Sequence, residues 1–158
     1  MKEGQDVIRP LAAADLPTLA AGLAELPLLR RYGRSAQKLQ EILEAALARG
    51  EGLLVADEQG APAGLAWFLT SGTLALGGYL RLLAVLEPFQ GRGLGAQLLA
   101  AYEAETARAS AHSFLLTSAS NAGAQRFYER LGYRRVGLLP SLVVAGEDEA
   151  LYWKRVRG

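Results

Sequence analysis

The segment EPFQGRGLGAQLL, residues 87–99, decides how the rest of the chain is interpreted. It contains Gly91, Gly93 and Gly95, and an apolar pattern with helical spacing follows at once. Glycine has no Cβ, so ligand oxygens can approach the backbone amides closely. A helix that begins near Gly93 adds unpaired N–H groups and the positive end of its dipole. These features predict a phosphate or pyrophosphate site, to which Arg92 adds a cation.

Other interpretations of this loop differ in how well the sequence supports them. A tight turn that packs a helix against a strand stays open. A dinucleotide fingerprint, G-x-G-x-x-A, also fits Gly91, Gly93 and Ala96. That motif requires an acidic residue about 20 positions later, and the chain has no Asp or Glu between Glu105 and Glu129. A P-loop is excluded because no Gly-Lys-Ser/Thr follows.

The composition is that of a globular protein, with 158 residues, 51% of them hydrophobic and 21% charged. We expect a single domain covering residues 1–158. The 17 Lys and Arg residues balance 16 Asp and Glu residues, and a formal net charge of +1 predicts no nucleic-acid partner and no membrane partner.

Cysteine is absent, which excludes disulfides, thiolate metal ligands and a cysteine nucleophile. With only one histidine, His112, we expect no metal site. The start, MKEGQDVIRP, has no apolar run, so a signal peptide is not expected, and no stretch approaches 18 apolar residues. These features favour a cytoplasmic protein.

Hydrophobic periodicity predicts the element order β-α-α-β-β-β-α-β-α-β-β, which indicates an α/β fold with one central mixed sheet and helices on its faces. We expect Asp15 and Ser35 to cap the first two helices and residues 27–35 to form a loop or a broken helix. The predicted strands are 5–11, 52–58, 63–71, 73–88, 113–120, 133–139 and 149–156; the predicted helices are 13–26, 36–50, 93–110 and 121–132.

A second informative segment is NAGAQRFYERLGY, residues 121–133. Asn121 is a good N-cap, and Gly132 is placed to end the helix. Phe127 and Tyr128 lie on its apolar face with Ala124 and Leu131. Periodicity alone makes Tyr128 a core aromatic.

Together the two segments resemble the GCN5-related N-acetyltransferases. The pyrophosphate motif of that family, R/Q-x-x-G-x-G/A, is matched by Gln90, Gly93 and Gly95. The family's following helix often reads N-x-x-A-x-x-F/Y-Y-x-x-x-G-F/Y, and the matching residues here are Asn121, Ala124, Phe127, Tyr128, Gly132 and Tyr133.

The resemblance implies a mixed, mostly antiparallel sheet and acetyl-CoA as the acetyl donor. By analogy, loop amides hold the CoA pyrophosphate, and the strand before the loop pairs with the pantetheine arm. In the family a bulge in that strand commonly separates it from the next strand, and the gap admits the thioester. The cofactor-binding residues that it implies are Leu83, Ala84, Val85, Gln90, Gly91, Arg92, Gly93, Leu94, Gly95, Ala96 and Asn121.

The resemblance also implies transfer of an acetyl group to a primary amine of a small molecule or peptide, and the absence of cysteine indicates that the transfer is direct. The N–H near Leu83 would stabilise the oxyanion, and the Tyr128 phenol would protonate the departing thiolate. Glu87 is the first candidate for the base, although a solvated loop carboxylate is the simpler interpretation, and a water relay is an alternative. Glu25 is a poorer candidate, and His112 is expected to be structural or exposed.

Family analogy assigns the acceptor pocket to residues 26–35 and the closing strands. Members that acetylate ribosomal-protein N-termini often read LEVRxSN before the helix, whereas this chain has Leu116 at the position of the Glu. That difference disfavours an N-terminal peptide acceptor. A non-catalytic CoA-binding module is the alternative function, and an NAD(P)-binding domain is disfavoured. A homodimer would fit the apolar closing strand 149–156.

Overall fold

A computed structural model describes residues 7–158, so positions 5 and 6 of the predicted first strand lie outside the described residues. The strands are β1 Val7–Pro10, β2 Gly52–Glu58, β3 Ala61–Thr73, β4 Gly77–Val85, β5 His112–Ser118, β6 Arg134–Val144 and β7 Glu147–Arg155. The helices are α1 Leu16–Ala24, α2 Pro27–Arg31, α3 Ala36–Ala48, α4 Leu94–Ala109 and α5 Ala122–Arg130. Two 3-10 turns span Ala13–Asp15 and Glu87–Phe89.

The strands are hydrogen-bonded in the order β1-β2-β3-β4-β5-β7-β6. β4 and β5 are parallel, whereas β1–β2, β2–β3, β5–β7 and β6–β7 are antiparallel. This confirms the predicted α/β class with a mixed, mostly antiparallel sheet flanked by helices. None of the helices within residues 7–158 is both long and apolar enough to cross a membrane.

The described chain divides into two compact units. The first contains the described residues up to Phe68 together with Leu82–Tyr102, and the second contains Leu69–Arg81 and Glu103–Gly158. β3, β4 and α4 contribute residues to both units. The single domain over residues 1–158 stays a prediction.

In the first unit, leucines at helical spacing on α1 and α3 form a core with alternate residues of β2 and β3. Its members include Leu19, Leu23, Leu43, Val55 and Leu65. Residues of β3 with the opposite parity face α4: the ring of Phe68 lies 5.0 Å from that of Tyr102. Helices therefore cover both faces of β3 in this unit.

Of the two N-caps predicted for the first helices, one is confirmed and the other is wrong. Ser35 caps α3 as predicted, since its hydroxyl accepts a hydrogen bond from the Lys38 N–H at 3.1 Å. Asp15 does not cap α1. Its carboxylate instead accepts the Ala12 N–H at 2.8 Å and pairs with Arg9 at 2.7 Å. The arginine, which comes from β1, supplies a charge-assisted partner that outcompetes a local cap.

The strand predicted over residues 73–88 is wrong at both ends. Thr73 ends β3, and Leu74 and Ala75 make the tight turn into β4, with left-handed φ angles of 50° and 60°. The segment carries strand-like residues, and neither turn position is Gly or Asn, so local chemistry indicated a continuous strand. At the other end, Val85 is the last residue of β4, and Glu87 begins a 3-10 turn.

In the second unit, α5 is fixed against β7 through Tyr152. The Tyr152 hydroxyl donates to Glu129 at 2.9 Å, and its buried ring lies 6.5 Å from the ring of Tyr128. The predicted N-cap is confirmed, because Asn121 Oδ1 accepts the Ala124 N–H at 3.0 Å. These contacts set the position of α5 on the sheet.

Candidate active site

The last residues of β4, Leu83–Val85, are the segment that we expect to pair with the pantetheine arm. The parallel ladder with β5 covers Gly77–Leu80 of β4, so among the described residues Leu83–Val85 lie beyond the paired segment. On the β3 side the two strands stay close. Leu86 N–H donates to Ala63 at 2.8 Å, and a Cβ on Gly64 would lie 2.8 Å from the Ala84 carbonyl oxygen. Only glycine permits this approach.

The turn after β4 is held by its own side chains. Pro88 lies inside the 3-10 turn Glu87–Phe89, beyond Val85, the last residue of β4. The side-chain amide of Gln90 then donates to the Val85 carbonyl at 3.0 Å. Gln90 therefore ties the loop back to the strand, which gives this motif position a structural role.

Gly91 and Gly93 adopt left-handed φ angles of +80° and +82°. A Cβ built on either would meet nothing within 4 Å, so open space lies over the loop backbone. Gly93 accepts the first helical hydrogen bond of α4, from Gln97 at 3.2 Å. The N–H groups at the start of this 16-residue helix therefore have no helical acceptor. The cradle fits an anion such as a diphosphate.

Arg92, predicted as the cation of the phosphate site, has protein partners in this structure. Its Nη1 donates to Glu58 Oε1, and its Nη2 lies 3.4 Å from the Pro88 carbonyl. The guanidinium also lies 5.8 Å from the centre of the Phe89 ring. Sequence reasoning missed Glu58, because it is 34 positions from Arg92 and only the fold brings the two together.

Tyr128 and Asn121 belong to the second unit. Tyr128 is 9% exposed, and its ring makes edge contacts with Phe127 at 5.1 Å and Tyr133 at 5.7 Å. The structure thus agrees with the packing role that periodicity predicts. That the Tyr128 phenol donates a proton stays a prediction, and so does the contact between Asn121 and the cofactor.

The end of α5 fixes Tyr128 along the helix. Tyr133 N–H donates to the Tyr128 carbonyl at 3.0 Å, and Gly132 N–H donates to Glu129 at 3.1 Å. Gly132 has a φ of +94°, so the pattern is a Schellman motif, as the glycine predicted. Lys154 Nζ donates to the Leu131 carbonyl at 2.9 Å and secures this end.

The candidate bases Glu87 and Glu25 and the single histidine differ in solvent exposure and in their partners. Glu87 is exposed in the 3-10 turn. Glu25 is exposed and paired with Arg30. His112 accepts the indole N–H of Trp153 at 3.0 Å, a contact that is compatible with the expected structural role.

A further polar group in the second unit was not singled out by the sequence. Glu149 is buried on β7, and Ser118 on β5 lies 3.5 Å from its carboxylate. Burial, together with the negative charge of Glu149, raises the pKa of Tyr79, against the lowering effect of Arg81. Burial and then the hydrogen bond to Glu129 likewise raise the pKa of Tyr152.

The comparisons agree with this fold. A family model described as an acetyltransferase (GNAT) domain matches residues 31–145. The chain therefore belongs to the GNAT acetyltransferase family, and it is an acyltransferase that uses acetyl-CoA. No functionally curated protein sequence gives a significant match.

Several solved structures share the fold. The ribosomal-protein-S18-alanine N-acetyltransferase from Escherichia coli is 21% identical with a TM-score of 0.76, over 98% of this chain and 96% of that chain. An aminoglycoside 6'-N-acetyltransferase complexed with coenzyme A is 20% identical with a TM-score of 0.77, over 95% and 97%. The Salmonella typhimurium protein yncA, with its cofactor acetyl-CoA, is 19% identical with a TM-score of 0.74, over 97% and 95%.

Proposed function

We propose that this protein transfers an acetyl group from acetyl-CoA directly to a primary amine of a small molecule or a peptide. The observation that carries the proposal is the pair of left-handed glycines, Gly91 and Gly93, before the N-terminus of α4. The amides from Gly91 to Ala96 would hold the pyrophosphate, and Leu83–Val85 would present backbone groups to the pantetheine arm.

Proton transfer would use the chain's own residues. An amine with a pKa near ~10.4 is mostly protonated at neutral pH, so a base or a water relay must remove its proton. Glu87 is the candidate base, and its exposed position suits exchange with solvent. The N–H near Leu83 would stabilise negative charge on the acetyl oxygen, and Tyr128 would protonate the thiolate.

Individual residues, rather than the fold, indicate which class of amine the protein acetylates. Leu116 on β5 replaces the Glu of the ribosomal-protein enzymes, so an N-terminal peptide is the less favoured acceptor. In the predicted acceptor segment, α2 carries Arg30 and Arg31, and Tyr32 packs against the core of the first unit. Basic residues of this kind suit an amine that also carries an acidic or aromatic group.

The test is release of CoA thiol from acetyl-CoA with a panel of amines: polyamines, amino acids, aminoglycosides and short peptides. We expect at least one amine to raise thiol release above hydrolysis and to gain the mass of one acetyl group. If acetyl-CoA binds but no amine in an extended panel is acetylated, the protein is the alternative, a CoA-binding module without catalysis.

We also propose that the chain forms a homodimer through β6. The predicted dimer strand, β7, lies between β5 and β6, so of the two closing strands it is β6 that lies at an edge of the sheet; β1 lies at the other edge among the described strands. None of its residues is buried, and six of its large apolar side chains are 36–58% exposed: Val136, Leu138, Leu139, Leu142, Val143 and Val144.

The charges on the β6–β7 hairpin favour a second copy of this chain as the partner that packs against the edge of β6. β6 begins with Arg134 and Arg135, and the turn after it leads into Glu147 and Asp148. If two β6 strands pack antiparallel, the basic start of each lies beside the acidic turn of the other, and the arrangement is two-fold symmetric.

The test is the mass in solution, measured by light scattering. We expect a dimer for the wild type and a monomer for Val136→Lys/Leu142→Lys. The control Leu74→Lys, which adds a charge at a hairpin tip in the same unit, should stay dimeric. A monomeric wild type at all protein concentrations would overturn the proposal.

A further inference from the structure

The ion pair between Glu58 and Arg92 lies beside the proposed phosphate cradle. Arg92 stands between Gly91 and Gly93, the two glycines whose conformation opens the loop. Glu58 is the last residue of β2, and it is held there by the tight turn at Gln59 and Gly60. The pair therefore links the β2–β3 hairpin to the loop.

The two partners differ in solvation. The Arg92 side chain is 52% exposed, whereas the Glu58 side chain is only 13% exposed. Oε1 of Glu58 accepts from Arg92, and Oε2 is buried without a hydrogen-bond partner among residues 7–158. A carboxylate shielded from water keeps a strong field, because little solvent screens it. Its charge therefore acts on neighbouring groups with more weight than a surface carboxylate would.

We infer that Glu58 sets the affinity for CoA by neutralising Arg92. This inference rests on the proposed role of the loop in holding the CoA pyrophosphate. With Glu58 ionised, the pair adds almost no net charge to the cradle, and the guanidinium is directed to Glu58 and Pro88. The amides then supply the binding, and Arg92 contributes less than a free arginine would. Moderate affinity favours release of product CoA after each turnover.

The first test is Glu58→Gln, which keeps the shape and an oxygen acceptor for Arg92 but removes the charge. We expect the Kd for CoA, measured by calorimetry, to fall by about fivefold. Arg92→Gln, which leaves the Glu58 charge uncompensated, should raise the Kd by a similar factor. The double variant should return close to wild type. Glu105→Gln, an exposed carboxylate further along α4, is the charge-matched control and should change nothing.

A ligand series separates this effect from a general change in net charge. Glu58→Gln should tighten CoA and dephospho-CoA about equally, because both carry the diphosphate, and should leave pantetheine unchanged. The gain should shrink at about 0.5 M salt, where screening is strong.

Each outcome bears on the inference. An unchanged Kd for CoA in Glu58→Gln, or an equal gain for pantetheine, would overturn it. If Glu58→Gln does not fold by circular dichroism, Arg92→Gln alone decides, and unaltered CoA binding there contradicts the inference. A wild type that does not bind CoA would instead refute the loop assignment on which the inference rests.

Discussion

The side-chain amide of Gln90 donates a hydrogen bond to the Val85 carbonyl at 3.0 Å and so ties the glycine loop to the end of the strand before it. The bond closes the turn that contains Pro88 and Phe89. An amide suits this position because it provides an N–H donor of the right length for the Val85 carbonyl.

Gln90→Ala should therefore weaken CoA binding without unfolding the protein. An exposed hydrogen bond contributes about 1 kcal/mol, so we expect the Kd to rise by about fivefold. Calorimetric titration measures this. Gln97→Ala, an exposed glutamine on α4 just after the loop, is the control and should bind CoA normally. Equal affinities for the two variants would remove the proposed role of Gln90.

Asp15 should make the stability of the first unit depend on pH. Its hydrogen bond from Arg9 and that from the Ala12 N–H hold the pKa of Asp15 below its usual value, against the opposing effect of burial. The stabilisation is therefore present above the unfolded pKa, ~3.9, and is lost as the pH falls through the lower folded-state pKa.

Asp15→Asn should lower the free energy of unfolding by about 2 kcal/mol at neutral pH, because Arg9 loses a charged partner. The difference from wild type should shrink as the pH is lowered from about 4 to about 2. Urea titrations across this range check it. Glu44→Gln, an exposed carboxylate on α3, should show almost no difference at any pH. A pH-independent loss in Asp15→Asn would contradict the ion-pair account.

Two glycines at opposite ends of α5 should respond to alanine with opposite signs. Gly132 has a φ of +94°, and a Cβ there would lie 3.3 Å from Lys154 Cε, so Gly132→Ala should lower the free energy of unfolding by about 1–2 kcal/mol. Gly123 lies inside the helix, and a Cβ there would lie 3.8 Å from its nearest neighbour, Asn121 Oδ1. Gly123→Ala should therefore raise the free energy of unfolding by up to about 1 kcal/mol. Thermal unfolding of both variants decides this, and a Gly132→Ala variant as stable as wild type would contradict the Schellman assignment.

The sequence predicted the features that depend on local chemistry. Hydrophobic spacing predicted α3, α4 and α5, and the side chains of Ser35 and Asn121 cap α3 and α5 as expected. The bounds of β2 agree at both ends, because Gly52 and the turn at Gln59 delimit it. Such signals lie within a few residues of the element that they define.

The features that the sequence did not predict depend on contacts between different elements of the fold. The turn at Leu74 and Ala75 has left-handed backbone without glycine, so strand pairing rather than local preference determines it. Glu58, the partner of Arg92, comes from β2, and Arg9, the partner of Asp15, comes from β1. Local patterns do not contain that information.

Tyr128→Phe should keep the affinity for CoA and slow acetyl transfer by about 100-fold, because a general acid is lost. The rate is measured at saturating acetyl-CoA with an amine found active in the panel. The matched control is Tyr133→Phe, another buried tyrosine, whose hydroxyl lies 2.8 Å from that of Ser113. That variant should lose about 1 kcal/mol of stability and keep its rate. Equal rates for wild type and Tyr128→Phe would leave Tyr128 with packing as its role.

The central claim is that the glycine loop before α4 holds the diphosphate of CoA. The most direct measurement is calorimetric titration of CoA into wild type, Gly93→Asn and Gly93→Asp. Asn and Asp both tolerate the left-handed backbone at Gly93 and differ mainly in charge. We predict that Gly93→Asn weakens binding and that Gly93→Asp abolishes it, because the carboxylate repels the phosphates. If Gly93→Asp binds CoA as tightly as wild type, the diphosphate does not lie on this loop.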